Sequence, residues 1–80
     1  MFYVYILRSE SQPDQTYVGF THDLKRRLAA HNSGHSPHTA KFVPWQIAFY
    51  CAFKLEERAL AFEHYLKSHS GKAFAHKRLL

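Results

Sequence analysis

Two polar side chains lie on the apolar face of a segment that the sequence predicts to be helical. The spacing i, i+3, i+4 and i+7 of one helical face is occupied by Leu24, Arg27, Leu28 and His31. A charged arginine beside a buried stripe needs a partner, because an unpaired charge there is costly. Arginine can bind anionic oxygens through paired donors.

A carboxylate stands beside the apolar face of a second predicted helix. That face is formed by Leu55, Ala59, Phe62 and Leu66. Glu63 directly follows Phe62 and therefore lies at the edge of the face. A single carboxylate, completed by water and substrate oxygens, is a set of ligands that suits Mg²⁺.

Two tyrosines lie in predicted strands. Because side chains alternate along a strand, Tyr5 shares a face with Tyr3, and Tyr17 shares a face with Gly19. Glycine inside a strand packs poorly and often marks the close approach of backbone or ligand. Free tyrosine has a pKa of about 10 and is a poor base at neutral pH. We expect Arg27 to favour its phenolate form.

Each of these residues also has an ordinary structural interpretation. Tyr5 and Tyr17 could be core tyrosines with satisfied hydroxyl groups. Arg27 and Glu63 could form a buried ion pair between the two helices. His31 could be a packed or capping histidine. The convergence of all five on one core favours a functional site over packing alone.

Apolar patterns predict the elements that position these residues. The predicted strands are 2–7, 16–20 and 46–53, and the predicted helices are 22 to about 32, 55–68 and 72–80. The order β-β-α-β-α-α predicts an α+β fold, in which a three-stranded antiparallel sheet is flanked by helices. With 80 residues, the chain is expected to form one domain over 1–80.

Turn and capping signals predict where the helices begin and end. Thr21 is the predicted N-cap of the first helix, and Gly34 is the predicted stop after it. Ser70-Gly71 is expected to break the second helix. The segment 35–44 contains two prolines and is predicted to be an exposed loop.

The composition is that of a basic, folded domain. A net charge of +5 with neutral histidines suggests a polyanionic partner. Apolar residues make up 46% of the chain, which excludes a disordered segment. The one cysteine, Cys51, lies in an apolar run and is expected to be a buried structural thiol. No apolar run approaches the ~20 residues of a membrane helix, so a cytoplasmic protein with no membrane partner is expected.

Several of these residues resemble a known motif. Two short segments resemble the two halves of the motif that names the GIY-YIG nuclease superfamily. They are Tyr3-Val4-Tyr5 and Tyr17-Val18-Gly19. Segment 20–32 is similar to the first helix of that family. The similarity covers nearly the whole chain and is closest to small stand-alone bacterial members related to the N-terminal nuclease domain of the excision-repair endonuclease. Tyr3 departs from the motif's first glycine, and Ala75 stands near the asparagine of some relatives, where Lys72 or His76 could substitute.

The resemblance implies roles for the five residues. Tyr5 would lie at the attacking water and, with Tyr17, help to deprotonate it. Arg27 would hold the scissile phosphate and stabilise its growing charge. His31 would assist proton transfer or orient a tyrosine. Glu63 would bind one Mg²⁺ or Mn²⁺ ion.

The function implied is a metal-dependent endonuclease acting on DNA in repair or processing, either structure-selective or weakly sequence-specific. Basic residues expected to contact nucleic acid are Lys25, Arg26, Lys41, Lys67 and Lys72. A homodimer or a protein partner is left open as a source of affinity. The alternatives are a nucleic-acid-binding module of the same fold with little or no catalysis, and a protein-interaction domain with a basic surface.

Overall fold

A computed structural model describes all residues from 1 to 80. The strands are β1 (Phe2–Ser9), β2 (Thr16–Thr21) and β3 (Trp45–Phe53), and the helices are α1 (Leu24–Asn32), α2 (Pro37–Ala40), α3 (Glu56–Lys67) and α4 (His69–Arg78). The sheet is antiparallel in the order β2-β1-β3. The predicted three-stranded sheet with flanking helices is therefore confirmed, with one helix more than expected.

The central position of β1 follows from its unbroken apolar sequence. Val4, Tyr5, Ile6 and Leu7 are all at most 1% exposed. Only a strand with neighbours on both edges and helices on both faces can bury four consecutive residues in this way. Alternation then sends the side chains of Val4 and Ile6 to one face and those of Tyr5 and Leu7 to the other.

The face of Val4 and Ile6 is covered by α3 and α4. Its buried core consists of Val4, Ile6, Ala59, Leu66 and Ala75. Half-buried Cys51 packs against this core, and burial raises the pKa of its thiol. We call this side of the sheet the apolar face.

The opposite face is covered by α1 and α2. Its buried core is Tyr5, Leu7 and Trp45, against which Leu24 and Leu28 of α1 pack. Two polar residues of these helices, His31 and Thr39, are also buried, at 0% and 1% exposed. We call this side the polar face.

The start of α1 differs from the prediction. The N-cap is Asp23, whose carboxylate accepts a hydrogen bond from the Arg26 backbone N–H at 3.1 Å. Thr21, the predicted cap, is instead the last residue of β2, and its hydroxyl oxygen accepts from the Asp23 N–H at 3.2 Å. Both residues are good cap types, and the sheet pairing of Thr21 with Tyr3 decides between them.

The prediction that 35–44 is an exposed loop is wrong in part. The segment contains the short helix α2, in which Thr39 is buried. Two long-range hydrogen bonds hold the segment down. The Trp45 indole N–H donates to the Thr39 carbonyl at 2.8 Å, and the Ser9 hydroxyl donates to the Phe42 carbonyl at 2.6 Å. His35, His38 and Lys41 are exposed, as expected.

The break between the last two helices lies earlier than predicted. Ser68 is extended, and its hydroxyl oxygen accepts from the Gly71 N–H at 3.1 Å, so it caps α4. Gly71 is buried inside α4, where a Cβ atom would overlap the backbone carbonyl of Tyr65. Glycine here permits close helix packing rather than breaking the chain. Leu55, predicted to be on the apolar stripe, precedes α3 and is 51% exposed.

None of the four helices is both long enough and apolar enough to cross a membrane.

Candidate active site

The predicted helical face of α1 is present, and it carries Arg27 and His31 onto Tyr5. Leu24 and Leu28 pack into the core of the polar face, which orients the helix. Arg27 and His31, from neighbouring turns of the same face, then reach the Tyr5 hydroxyl. The structure thus brings three of the five predicted site residues into direct contact.

The Tyr5 hydroxyl lies between an imidazole and a guanidinium. Its oxygen is 3.0 Å from His31 Nε2. The Arg27 Nε–H donates to the same oxygen at 3.4 Å. Tyr5 is 1% exposed and His31 is 0% exposed, whereas Arg27 is half-buried. A buried phenol with one nitrogen on each side is arranged to exchange a proton.

Gly19 makes room for Tyr5. The two residues are directly opposed in the pairing of β1 with β2. A Cβ atom at position 19 would overlap the ring and hydroxyl of Tyr5. The glycine in mid-strand therefore lets the Tyr5 ring lie across β2 toward α1, which explains a residue that otherwise weakens a strand.

Tyr17 joins the group through its ring. Its centroid lies 4.8 Å from that of His31 and 6.4 Å from that of Tyr5. Tyr17 is half-buried and also lines a cleft of about 370 Å³ between β2 and the α3–α4 helices. Its ring packs against the buried core of the polar face, on the same side of the sheet as Tyr5 and Leu7.

Burial and charge set the protonation of the group. Burial raises the pKa of Tyr5 above 10, and the Arg27 guanidinium opposes the rise without reversing it. Arg27 therefore favours the phenolate, as expected, but burial outweighs its effect in the protein alone. Burial, followed by the charge of Arg27, lowers the pKa of His31 below 6.5. The hydrogen bond to Tyr5 raises the pKa of Arg27. At neutral pH the group is a phenol, a neutral imidazole and a guanidinium.

Glu63 lies on α3 with its side chain 19% exposed, and it forms an ion pair with Lys67 at 3.1 Å. No ion pair links it to Arg27, so the alternative of a buried pair between the two helices is wrong. Its charge is the smallest of the influences that raise the pKa of Tyr5, after burial and the charge of Tyr17.

The donor set available to a metal is small. No cluster of three or more histidine, cysteine or acidic side chains exists in the chain. Glu63 is accessible and anionic, and Mg²⁺ is commonly held by one or two carboxylates together with waters and substrate phosphates. The residues present fit an ion of this kind, with Lys67 as the group that it would displace from Glu63.

Sequence reasoning missed three residues that support the site. Thr39 Oγ1 lies 2.9 Å from His31 Nδ1. The Asn32 side chain forms two hydrogen bonds with the backbone of Trp45. It donates to the carbonyl at 3.0 Å and accepts from the backbone N–H at 2.6 Å. Little in the sequence indicated these roles, because the threonine and the tryptophan lie in a basic segment that has no periodicity to indicate burial.

The basic residues predicted to contact nucleic acid are distributed around the site. Lys67 and Lys72 line the cleft that contains Tyr17. Arg26 lines a shallow pocket with Arg27, and Lys25 lines a separate groove beside Tyr3. Lys41 caps α2 and lies 5.6 Å above the Phe42 ring.

Comparison with known proteins identifies the family. Residues 1–78 match the model of the GIY-YIG catalytic domain. A UPF0213 protein of Haloquadratum walsbyi is 35% identical over 85% of this chain and 75% of its own length. A UPF0213 protein of Pediococcus acidilactici is 37% identical, with 89% and 74% covered. One from Streptococcus pneumoniae is 36% identical, with 81% and 65% covered.

The names of these relatives state no activity, so the match to the catalytic domain carries the assignment. GIY-YIG nucleases bind nucleic acid and generally depend on divalent metal ions. The chain belongs to the GIY-YIG family of nucleases.

Proposed function

We infer that the protein is a divalent-metal-dependent endonuclease that hydrolyses phosphodiester bonds in DNA. The observation that carries this is the Tyr5 hydroxyl, buried between His31 Nε2 and Arg27 Nε. A core tyrosine needs one hydrogen-bond partner. It does not need both a guanidinium and a neutral imidazole as partners of the same oxygen.

The arrangement supports one hydrolytic step. The attacking water gives a proton to the Tyr5 oxygen while the Tyr5 proton passes to His31 Nε2. The water oxygen bonds to phosphorus as the bond to the leaving oxygen breaks, and solvent protonates that oxygen. Tyr5 therefore acts as a relay and His31 as the final base, because a lowered pKa keeps His31 neutral at pH 7.

Arg27 stabilises the charge that develops on the phosphoryl oxygens. Its Nε–H donates to Tyr5. In this proposal its terminal nitrogens bind the phosphate of the substrate. The half-buried position strengthens such an interaction, since fewer waters screen it. Tyr17, beside the histidine, helps to place the attacking water.

Glu63 holds one Mg²⁺ or Mn²⁺ ion in this proposal. When bound, the ion supplies Lewis-acid stabilisation of the transferring phosphoryl group. Lys67 pairs with the carboxylate in the structure and would be free to contact the substrate backbone if an ion took its place. This exchange gives Lys67 two roles, as the partner of Glu63 and as a phosphate contact.

The substrate class is DNA, read by shape rather than by base sequence, as in DNA processing or repair. The cleft beside Tyr17 takes the backbone on one side of the cut, with Lys67 and Lys72 along it. On the other side the backbone meets Arg26 beside Arg27, and Lys25 and Lys41 contribute more distant charge. With 80 residues, little surface remains for reading bases.

The test is cleavage of labelled single-stranded, duplex, flap and branched DNA with Mg²⁺ or Mn²⁺. The wild type is compared with Glu63→Gln, which keeps the size of the side chain and removes its charge. Glu57→Gln is the matched control, since Glu57 is an exposed carboxylate on the same helix. Metal-dependent cutting that Glu63→Gln abolishes and Glu57→Gln retains supports the proposal. Equal cutting by all three proteins contradicts the role of Glu63.

The second candidate is a binding module that has kept the fold. The Glu63–Lys67 ion pair favours it, because it occupies the carboxylate that a metal needs. Salt-sensitive DNA binding with no cutting on any substrate, in either metal, would replace the nuclease proposal with this one.

A further inference from the structure

We propose that Thr39 is a positioning residue that holds His31 in the tautomer protonated on Nδ1, so that Nε2 receives the Tyr5 proton. The inference deepens the proposed function and rests on it for its catalytic meaning. Its structural part, the tautomer, stands on the hydrogen bonds of the polar face alone.

The Thr39 hydroxyl has two neighbours, and their chemistry differs. Oγ1 lies 3.3 Å from the Ser36 carbonyl oxygen and 2.9 Å from His31 Nδ1. A carbonyl only accepts, so the Thr39 hydroxyl is the donor in its hydrogen bond to the Ser36 carbonyl, which also accepts from the Thr39 and Ala40 backbone N–H groups. With its proton in that bond, the hydroxyl oxygen accepts from His31 Nδ1, and Nδ1 then carries the proton.

The donors and acceptors of the other hydrogen bonds in the series follow from this assignment. With Nδ1 protonated, Nε2 of a neutral imidazole has a free lone pair and accepts from the Tyr5 hydroxyl at 3.0 Å. The Tyr5 oxygen in turn accepts from Arg27 Nε–H at 3.4 Å. Every proton in the series has one acceptor, and the hydrogen bonds link Arg27 through Tyr5 and His31 to Thr39.

The fold fixes Thr39 as firmly as it fixes Tyr5. Thr39 is 1% exposed, and its carbonyl accepts from the indole N–H of Trp45 at 2.8 Å. Trp45 is itself gripped by both ends of the Asn32 side-chain amide. Asn32 directly follows His31 on α1. Helix α1 therefore carries His31 and also holds Thr39 in place, through the hydrogen bonds of Asn32 to Trp45.

The experiment measures the ring nitrogens of His31 by NMR in protein labelled with ¹⁵N-histidine. The chemical shift of each nitrogen reports whether it carries a proton, and His31→Gln assigns the resonances. The wild type is compared with Thr39→Ser, which keeps the hydroxyl, and with Thr39→Val, which replaces it by a methyl group. Steady-state cleavage gives kcat and KM for the same three proteins.

We expect the wild type and Thr39→Ser to show protonated Nδ1 and free Nε2. Thr39→Val should show a mixture of tautomers and a kcat lower by about tenfold, with KM unchanged, because only the proton transfer is disturbed. A general loss of folding would change KM and the dispersion of the whole spectrum, and Thr39→Ser would not rescue it selectively.

Two results overturn the inference. One is a wild-type His31 protonated on Nε2, a result that needs no Thr39 variant and so does not depend on how well Thr39→Val folds. The other is a Thr39→Val protein with the wild-type tautomer and kcat. If the wild type cuts no DNA but shows protonated Nδ1, the proposed function fails while the positioning by Thr39 stands.

Discussion

The two faces of the sheet bury side chains of different chemistry. On the apolar face, the buried residues are aliphatic, and α3 and α4 pack against them through Ala59, Leu66 and Ala75. On the polar face, α1 and α2 bury His31 and Thr39 beside Tyr5. The same central strand serves both, because alternate residues of β1 point in opposite directions.

The difference teaches how a domain of 80 residues accommodates a buried polar site. Buried polar groups are stable only when each is hydrogen-bonded, and they contribute less than aliphatic packing does. The polar face satisfies its groups in series, from Arg27 to Thr39. The apolar face supplies the hydrophobic burial that the polar face lacks. Changes on the first should therefore lower activity, and changes on the second should lower stability.

Arg27→Ala is expected to have the largest effect of all on activity. Loss of a preorganised donor to phosphoryl oxygens should lower kcat by about a thousandfold. Stability should fall by only about 1 kcal/mol, the value of one hydrogen bond. Single-turnover cleavage and urea unfolding measure the two quantities. Arg27→Lys, which keeps the charge but not the paired donors, should recover part of the rate. If the free energy of unfolding fell by as much as the activation free energy of cleavage rose, Arg27 would be a structural residue.

Gly19→Ala should lower activity next most strongly. The new methyl group overlaps the Tyr5 ring and hydroxyl, so the buried ring must shift relative to His31 and Arg27. A displacement of about 1 Å at a reacting group costs about a hundredfold in rate. The measurements are the cleavage rate and the thermal melting curve. A lowered rate together with a cooperative melting transition would show that the effect is local to the site.

Gly71→Ala is the matched change on the apolar face. Here the methyl group meets the Tyr65 backbone, which cannot rotate away, so α3 and α4 must separate. We expect a loss of about 2 kcal/mol in the free energy of unfolding and an unchanged cleavage rate well below the melting temperature. If the two alanine variants had the same profile, the division of labour between the faces would be wrong.

The sequence predicted the site residues that regular elements carry. Arg27 and His31 could be paired with Leu24 and Leu28 because a helix repeats every 3.6 residues. The faces of Tyr5 and Gly19 could be predicted from strand alternation. Their opposition across the β1–β2 pair depends on register, which the short loop between the strands did not fix.

Thr39 could not be predicted because its burial depends on contacts far along the chain. Its segment is polar and contains prolines, which is typical of a loop. Only the distant indole of Trp45 and the imidazole of His31 make that segment a short buried helix. Gly71 was misread for a related reason, since a glycine that stops a helix and one that permits helix packing look the same in sequence.

A smaller effect is expected from pH, acting through His31. Burial and Arg27 lower the pKa of His31 below 6.5, so the unfolded chain binds a proton more readily than the folded chain does. The stability that this site contributes is therefore present at high pH and lost as the pH falls through 6.5 toward the folded-state pKa. The charged or titratable groups that face the imidazole are Tyr5, Tyr17 and Arg27.

Urea unfolding at about pH 8 and about pH 5 tests this linkage. His31→Gln should lose less stability than the wild type over that range, whatever its stability at the higher pH. His35→Gln is the control, because His35 is exposed in the turn after α1 and should leave the wild-type slope unchanged. Identical slopes for the wild type and His31→Gln would show that the polar face has no buried, neutral histidine.

Lys72→Ala should have the smallest effect and probes the edge where the two faces meet. Lys72 is exposed on α4, a helix of the apolar face, yet it lines the cleft beside Tyr17. Loss of one phosphate contact should weaken DNA binding only a few-fold and lower the salt slope by about one, with no change in stability. Fluorescence anisotropy across a salt series measures both. Lys77→Ala is the matched control, as an exposed lysine of the same helix that does not line the cleft.

A selective effect of Lys72→Ala would mean that α4 binds substrate with one edge while it buries aliphatic residues with the other. The polar face would then supply the catalytic groups, and the apolar face would supply part of the track for the DNA backbone. Equal effects of the two variants would assign only diffuse charge to α4 and confine specific substrate contacts to the polar face. Because Lys67 shares both the cleft and the Glu63 ion pair, the first outcome also predicts that metal binding strengthens DNA binding at this edge, by freeing Lys67 for phosphate.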